Sequence, residues 1–186
     1  MQAMVSMITV TNIERRGKNM KSPIRISMFL LCLAFFISVH VKMTAAETSS
    51  AECRQYTDDI RAILPNAVTF GTMTDRKVQL LDANKQVVGY LLLPPAGKRE
   101  RVAGYNGVVN VAVVVSPDNK ILGVALGENN ETPRFLDRLR NAGFLKRWNG
   151  KKTSEAAKLK VDAVTRATYS SNAVKSEVDT ILRMQK

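Results

Sequence analysis

The chain has 186 residues, near the size of a single domain, and carries 28 Lys and Arg against 16 Asp and Glu, a net charge of +12. Two cysteines (Cys32, Cys53) and one histidine (His40) exclude a disulfide framework and supply no ligand set for zinc, haem or an iron–sulfur cluster. Because His40 lies in a leader-like segment, histidine-based catalysis is excluded for everything that follows it.

Residues 1–46 read as that leader. Ile26 to Val41 has no charged residue, is rich in Leu and Phe, and is preceded by Lys21 and Arg25. Thr44-Ala45-Ala46 then gives a small-residue boundary before Glu47. A basic start, an apolar middle and a small-residue end describe a secretory signal peptide. The apolar stretch is shorter than the roughly 20 residues a membrane span needs, which favours cleavage over the alternative of a retained anchor. Met20 is an alternative start, with residues 1–19 as an extension. Export places residues 47–186 outside the cytoplasm, in the periplasm or on the outer face of the inner membrane. Cleavage removes Cys32 and leaves Cys53 as the one thiol, expected to be an unpaired residue of the first helix.

After a short tether at Thr48-Ser49-Ser50-Ala51, the spacing of Tyr56, Ile60, Ile63 and Leu64 predicts a helix over Glu52 to Leu64, ended by Pro65-Asn66. Lys77 to Leu81 and Gln86 to Leu93 read as a hairpin across Asp82-Ala83-Asn84-Lys85. Pro94-Pro95-Ala96-Gly97 breaks the chain, and Lys98 to Val102 is a charged loop. Val108 to Val115 and Lys120 to Leu126 form a second hairpin across Ser116-Pro117-Asp118-Asn119. Val108 to Val115 is almost wholly apolar, which predicts an internal strand covered on both faces. Pro133 to Asn141 reads as a short helix started by proline, with Phe135, Leu136 and Leu139 inward. Val174, Val178, Ile181 and Leu182 mark one face of a last helix, with Ser170 or Ser171 as its N-cap. The expectation is a single α+β domain with an antiparallel sheet of two hairpins packed with helices. Residues 47–103 supply the first helix and hairpin, and 104–184 the core.

Charge is less concentrated than the total suggests. Residues 1–46 hold six basic and one acidic side chain, a net +5, so residues 47–186 carry +7. The clusters Lys98-Arg99-Arg101, Arg138-Arg140, Lys146-Arg147 and Lys151-Lys152 read as a solvated face that suits an anionic membrane surface or an acidic redox partner. No nucleic-acid partner is expected of an exported chain.

The segment Asp162-Ala163-Val164-Thr165-Arg166-Ala167-Thr168-Tyr169-Ser170-Ser171 gathers hydroxyls and a carboxylate immediately before the last helix. Free amides at a helix start, with the positive end of its dipole, suit a phosphate. This run resembles the acceptor motif of the FMN-binding domain family, known from subunits of the Rnf complex and of the sodium-translocating NADH:quinone oxidoreductase. Gly104-Tyr105-Asn106-Gly107 with its following apolar run, Pro117 to Val124, Glu131-Thr132-Pro133 and Asn141 to Lys151 resemble further family segments in the same order. The similarity spans Leu64 to Leu182. The departures are Arg166, where the family usually has Gly, Asn129, where many members have His, and Arg134, where Gly usually follows Glu-Thr-Pro.

The resemblance implies FMN bound covalently to Thr168 through a phosphodiester, installed by a periplasmic flavin transferase. Asp162 and Thr165 are the matching motif positions. Arg166, Ala167, Ser170 and Ser171 complete the loop around the phosphate. Asp162 either holds the loop through backbone amides or orients metal or hydroxyl during attachment, and Arg166 either pairs with the phosphate or points to solvent. If the family Gly sits at positive φ, Arg166 carries a strain of about 1 kcal/mol or more. Glu131 and Thr132 can meet the ring edge or ribityl chain, Thr132 being also a candidate N-cap. Tyr105 and Trp148 either cover a ring face or pack in the core, and Gly104 and Gly107 either admit a ligand or make a turn. The implied function is an extracytoplasmic electron carrier between membrane or periplasmic redox partners. The alternatives are an accessory subunit of a reductase, or a flavin-binding scaffold without turnover. No Gly-x-Gly-x-x-Gly fingerprint supports a self-sufficient nicotinamide-dependent enzyme.

Overall fold

The computed structural model describes residues 51–185, so the leader lies outside the described residues. Five strands form one antiparallel meander, ordered as in the sequence: β1 (Thr69–Thr74), β2 (Lys77–Leu81), β3 (Val87–Leu92), β4 (Val109–Val115) and β5 (Ile121–Asn129). The helices are α1 (Thr57–Ile63), α2 (Pro133–Asn141), a 3₁₀ turn (Phe144–Lys146), α3 (Thr153–Ala156) and α4 (Thr168–Arg183). This is the expected α+β class, with one strand more than the sequence suggested.

The added strand is β1. Its polar, half-exposed residues give no apolar alternation, and the turn to β2 has no Asn-Gly or Asp-Gly signal. Asp75 and Arg76 instead occupy positive φ, 48° and 66°, as a two-residue hairpin turn requires. Arg76 is held there from outside the hairpin: Nε donates to the Pro94 carbonyl at 2.7 Å and the guanidinium pairs with Glu52.

Alternation along β4 divides the core as its composition predicted. Val109, Val111, Val113 and Val115 face a cluster built with Leu136, Leu139, Phe144, Trp148, Val174, Val178 and Ile181. Ala112 and Val114 face a second cluster with Cys53, Tyr56, Ile60, Val78, Leu80 and Leu91. The sheet is thus covered by α1 on one side and by α2 through α4 on the other, with β4 buried on both faces.

The first helix departs from expectation. Residues 51–54 are helical, residues 55–56 form a turn, and α1 begins at Thr57. Tyr56 is turned inward, its hydroxyl 3.4 Å from the Val111 carbonyl, while Thr57 Oγ1 donates to the Arg54 carbonyl at 2.8 Å. Side chains from this segment also protect the open edge of β5. The Leu126 amide donates to Asp59 Oδ2 at 2.7 Å and the Glu128 amide to Gln55 Oε1 at 3.2 Å. At the other end of β5, Ile121 exchanges backbone bonds with Gly150 and Lys151. An edge strand capped in this way cannot recruit another chain.

Candidate functional site

The acceptor segment lies on the core by every third residue. Val161, Val164, Ala167 and Ser170 are buried, while Asp162, Ala163, Thr165, Arg166, Thr168 and Tyr169 between them are exposed. The path ends in a kink at Arg166, with φ 63°, after which Ala167 is the N-cap of α4 at φ −143° and Thr168 its first residue. The serines therefore do not occupy the N-cap position expected of them. Ser170 and Ser171 are buried in the first turn and neither is the N-cap, because Val164 and Ala167 pull the chain into the core early enough for α4 to start at Thr168.

Ser171 has a different task. Its Oγ accepts the Val164 amide at 3.1 Å and donates to the Ala167 carbonyl at 2.8 Å, which clamps the turn containing Thr165 and Arg166. The Ser170 hydroxyl, 1% exposed, has no partner. No side chain caps α4, and no described hydrogen bond uses the amides of Thr168, Tyr169 or Ser170. Three free donors and an exposed threonine hydroxyl thus meet at the positive end of a 16-residue helix.

The Asp162 carboxylate makes no hydrogen bond or ion pair among the described residues. Among the described residues the loop's one long-range side-chain tie is to the Asp162 carbonyl, which accepts from Arg147 Nη1 at 2.7 Å. The Arg147 guanidinium also lies over the Phe144 ring, 5.3 Å from its centre.

The second group is the Gly104–Gly107 turn, closed by a 2.7 Å bond from the Gly104 amide to the Gly107 carbonyl. The buried Glu131 carboxylate accepts the Tyr105 amide at 3.1 Å and the Asn106 amide at 3.5 Å. Each of its oxygens therefore accepts from the turn. Gly104 is required there, since a Cβ would strike Glu131 Oε2. Gly107 stands at φ 119° in open space. Tyr105 is 61% exposed and meets Phe135 edge-on at 4.9 Å, so a ring face remains accessible. Phe135 and the acceptor segment's Val164 and Ala167 pack against one cluster, which seats both loops on the same core. Thr132 occupies the N-cap position of α2, yet its hydroxyl makes no cap bond.

Trp148 cannot cover a ligand. It is fully buried, edge-on to Phe144 at 5.5 Å, and its Nε1 has no partner. The cluster Lys98-Arg99-Arg101 is not wholly a solvated face either. Arg99 and Arg101 both pair with Glu177 of α4, which is 1% exposed, Arg101 through Nε at 2.9 Å. Arg101 also donates to Asn110 Oδ1 and the Val109 carbonyl, so the strap is fastened to both α4 and β4. Sequence gave no sign of this, because Glu177 looks like any polar residue of an amphipathic helix. The Cys53 thiol is buried and free, as expected, and burial with the nearby Glu52 carboxylate raises its pKa to about 11. A cleft of about 440 Å³ between α1, β5 and the 3₁₀ turn is lined by none of the predicted site residues.

Residues 104–183 match the family model of the FMN-binding domain. These residues thus carry an FMN-binding domain, which supports flavin binding by this protein. No curated protein matches the chain. The residues fit the cofactor's phosphate. An exposed hydroxyl beside the uncapped amides of a long helix is the arrangement a phosphate group suits.

Proposed function

We propose that the protein is an extracytoplasmic flavoprotein that carries FMN as a phosphodiester on Thr168 and relays electrons between redox partners. The observation that carries this reading is the placement of Thr168, exposed at the first position of α4 beside three unpartnered amides. Its hydroxyl is open to an attaching enzyme, and those amides would stabilise the phosphate that stays behind. Ser171 fixes the turn that presents Thr168, and Arg147 braces the turn's other end. Arg166, exposed and free of any described ion pair, stands two residues before Thr168 and would add a charge-assisted donor to the phosphate. Tyr105 offers an accessible aromatic face on the Gly104–Gly107 turn. FMN, when bound, supplies the redox chemistry, and the protein supplies attachment, orientation and electrostatics. A covalent link suits an exported carrier, because cofactor lost outside the cytoplasm is not replaced.

The reading is tested by co-expression with a periplasmic flavin transferase, followed by denaturing electrophoresis. The parent chain, recovered outside the cytoplasm, gives a fluorescent flavin band, and Thr168→Ala gives none. A dark parent band under conditions that label a known acceptor overturns the proposal.

A further inference from the structure

Within residues 47–186 the net positive charge is concentrated around the acceptor loop. Residues 144–166 hold seven basic and two acidic side chains, a net +5, out of the +7 carried by residues 47–186. None of the seven cations takes part in an ion pair among the described residues. Elsewhere among the described residues Arg76 pairs with Glu52, Arg99 and Arg101 with Glu177, and Arg140 with Asp59 and Asp137, while Arg54, Arg61, Arg134, Arg138 and Arg183 stand singly outside any ion pair. The segment is also a single layer. Phe144, Trp148, Ala156, Val161, Val164 and Ala167 all turn into one core cluster, so the exposed residues between them form that layer's outer surface. Lys146, Arg147, Lys152, Lys158, Lys160 and Arg166 are exposed there, with Lys151 half-buried. The bond from Arg147 to the Asp162 carbonyl joins the start of the layer to the acceptor loop.

We propose that this unpaired basic layer is the docking face for the acidic surface of a protein partner, which it brings up to Thr168. The assignment of that partner as a redox protein rests on the function proposed above; the charge argument does not. Transient electron-transfer encounters use small interfaces, and complementary charge sets their encounter rate and orientation. A protein fits better than a lipid surface. A segment that lies in a membrane interface needs an apolar face to insert, and none of the exposed large hydrophobic side chains falls within residues 144–166. Tyr169, just beyond them and 67% exposed, is a single aromatic of the kind enriched at protein interfaces.

The test compares two variants of the full chain with equal loss of charge. In the first, Lys146, Lys152, Lys158 and Lys160 are changed to Gln. In the second, the exposed Arg54, Arg61, Lys85 and Lys98 are changed to Gln. Binding to poly-L-glutamate, as an acidic polypeptide probe, and to phosphatidylglycerol vesicles is measured at low and physiological ionic strength. The first variant is expected to bind poly-L-glutamate about tenfold more weakly than the parent at low salt, and the second to stay within about twofold. Equal weakening in both variants shows that only net charge matters and overturns the proposal. Loss of vesicle binding in the first variant, with poly-L-glutamate binding intact, assigns the face to lipid and overturns it also. Circular dichroism and melting temperature confirm that both variants are folded. The assay needs no flavin, so failure of flavin attachment leaves its outcome readable.

Discussion

Ser170 and Ser171 are adjacent, alike and both buried, yet their replacement by alanine should have opposite consequences. Ser171→Ala removes the Oγ that accepts the Val164 amide at 3.1 Å and donates to the Ala167 carbonyl at 2.8 Å. The Val164 amide, buried in that turn, then has no partner, at a cost of about 1–3 kcal/mol. Ser170→Ala removes a hydroxyl that is buried without a partner, so it relieves a desolvation penalty and should be neutral or stabilising by about 1 kcal/mol. For a domain of this size each kcal/mol moves the melting temperature by roughly 4 °C. Thermal unfolding followed by circular dichroism should therefore show Ser171→Ala several degrees below the parent and Ser170→Ala at or slightly above it. Flavin labelling of Ser171→Ala should also slow, because the turn presenting Thr168 is loosened. Equal destabilisation by the two substitutions would refute the assignment of Ser171 as the clamp.

Arg166 stands at φ 63°, where a non-glycine residue is strained by about 1–2 kcal/mol, partly offset by the added chain entropy of glycine. Arg166→Gly should raise the melting temperature of the unloaded protein by a few degrees at most and lower that of the flavin-loaded form; equal loaded stabilities would remove the phosphate-pairing role. Glu177→Gln leaves Arg99 and Arg101 without their buried carboxylate and should cost about 3 kcal/mol in a urea titration, whereas Asp137→Asn, at an exposed 3.8 Å pair, should be almost silent. The Cys53 thiol titrates near 9.0 when unfolded and near 11 when folded, so above pH 9 the unfolded state loses its proton first. Stability should therefore decline as the pH rises from about 9 to 11, and the decline should be shallower in Cys53→Ala; identical alkaline profiles for the two proteins would count against the burial argument.

The second hairpin and helix α2 were legible because single short-range rules determine them: an unbroken Val run for β4, and Pro133 at a helix start ahead of Leu136 and Leu139. Strand β1 was not, since its turn depends on Arg76 being held by Pro94 and Glu52, far along the chain or before the hairpin. The start of α4 was misjudged for a related reason. Ser170 and Ser171 have the chemistry of N-caps, but inward anchoring at Val164 and Ala167 moved the helix start ahead of them. Similarly, Trp148 carries the chemistry of a ring platform, and only packing reveals that both its faces are covered. The motif identified which side chains gather at the acceptor loop. It did not reveal what positions them, because the Arg147 bond to Asp162 and the Ser171 clamp are made by residues with no distinguishing local pattern.

Peptide mapping after flavin transferase treatment tests the central claim most directly. Trypsin, cutting after Arg166 and Lys175, releases Ala167 to Lys175, which contains Thr168, Ser170 and Ser171 together. The account predicts that this peptide gains the mass of FMN less one water, and that fragmentation places the whole gain on Thr168. The same peptide from Thr168→Ala should be unmodified. An unmodified peptide from the parent, or flavin located on any other residue, contradicts the account.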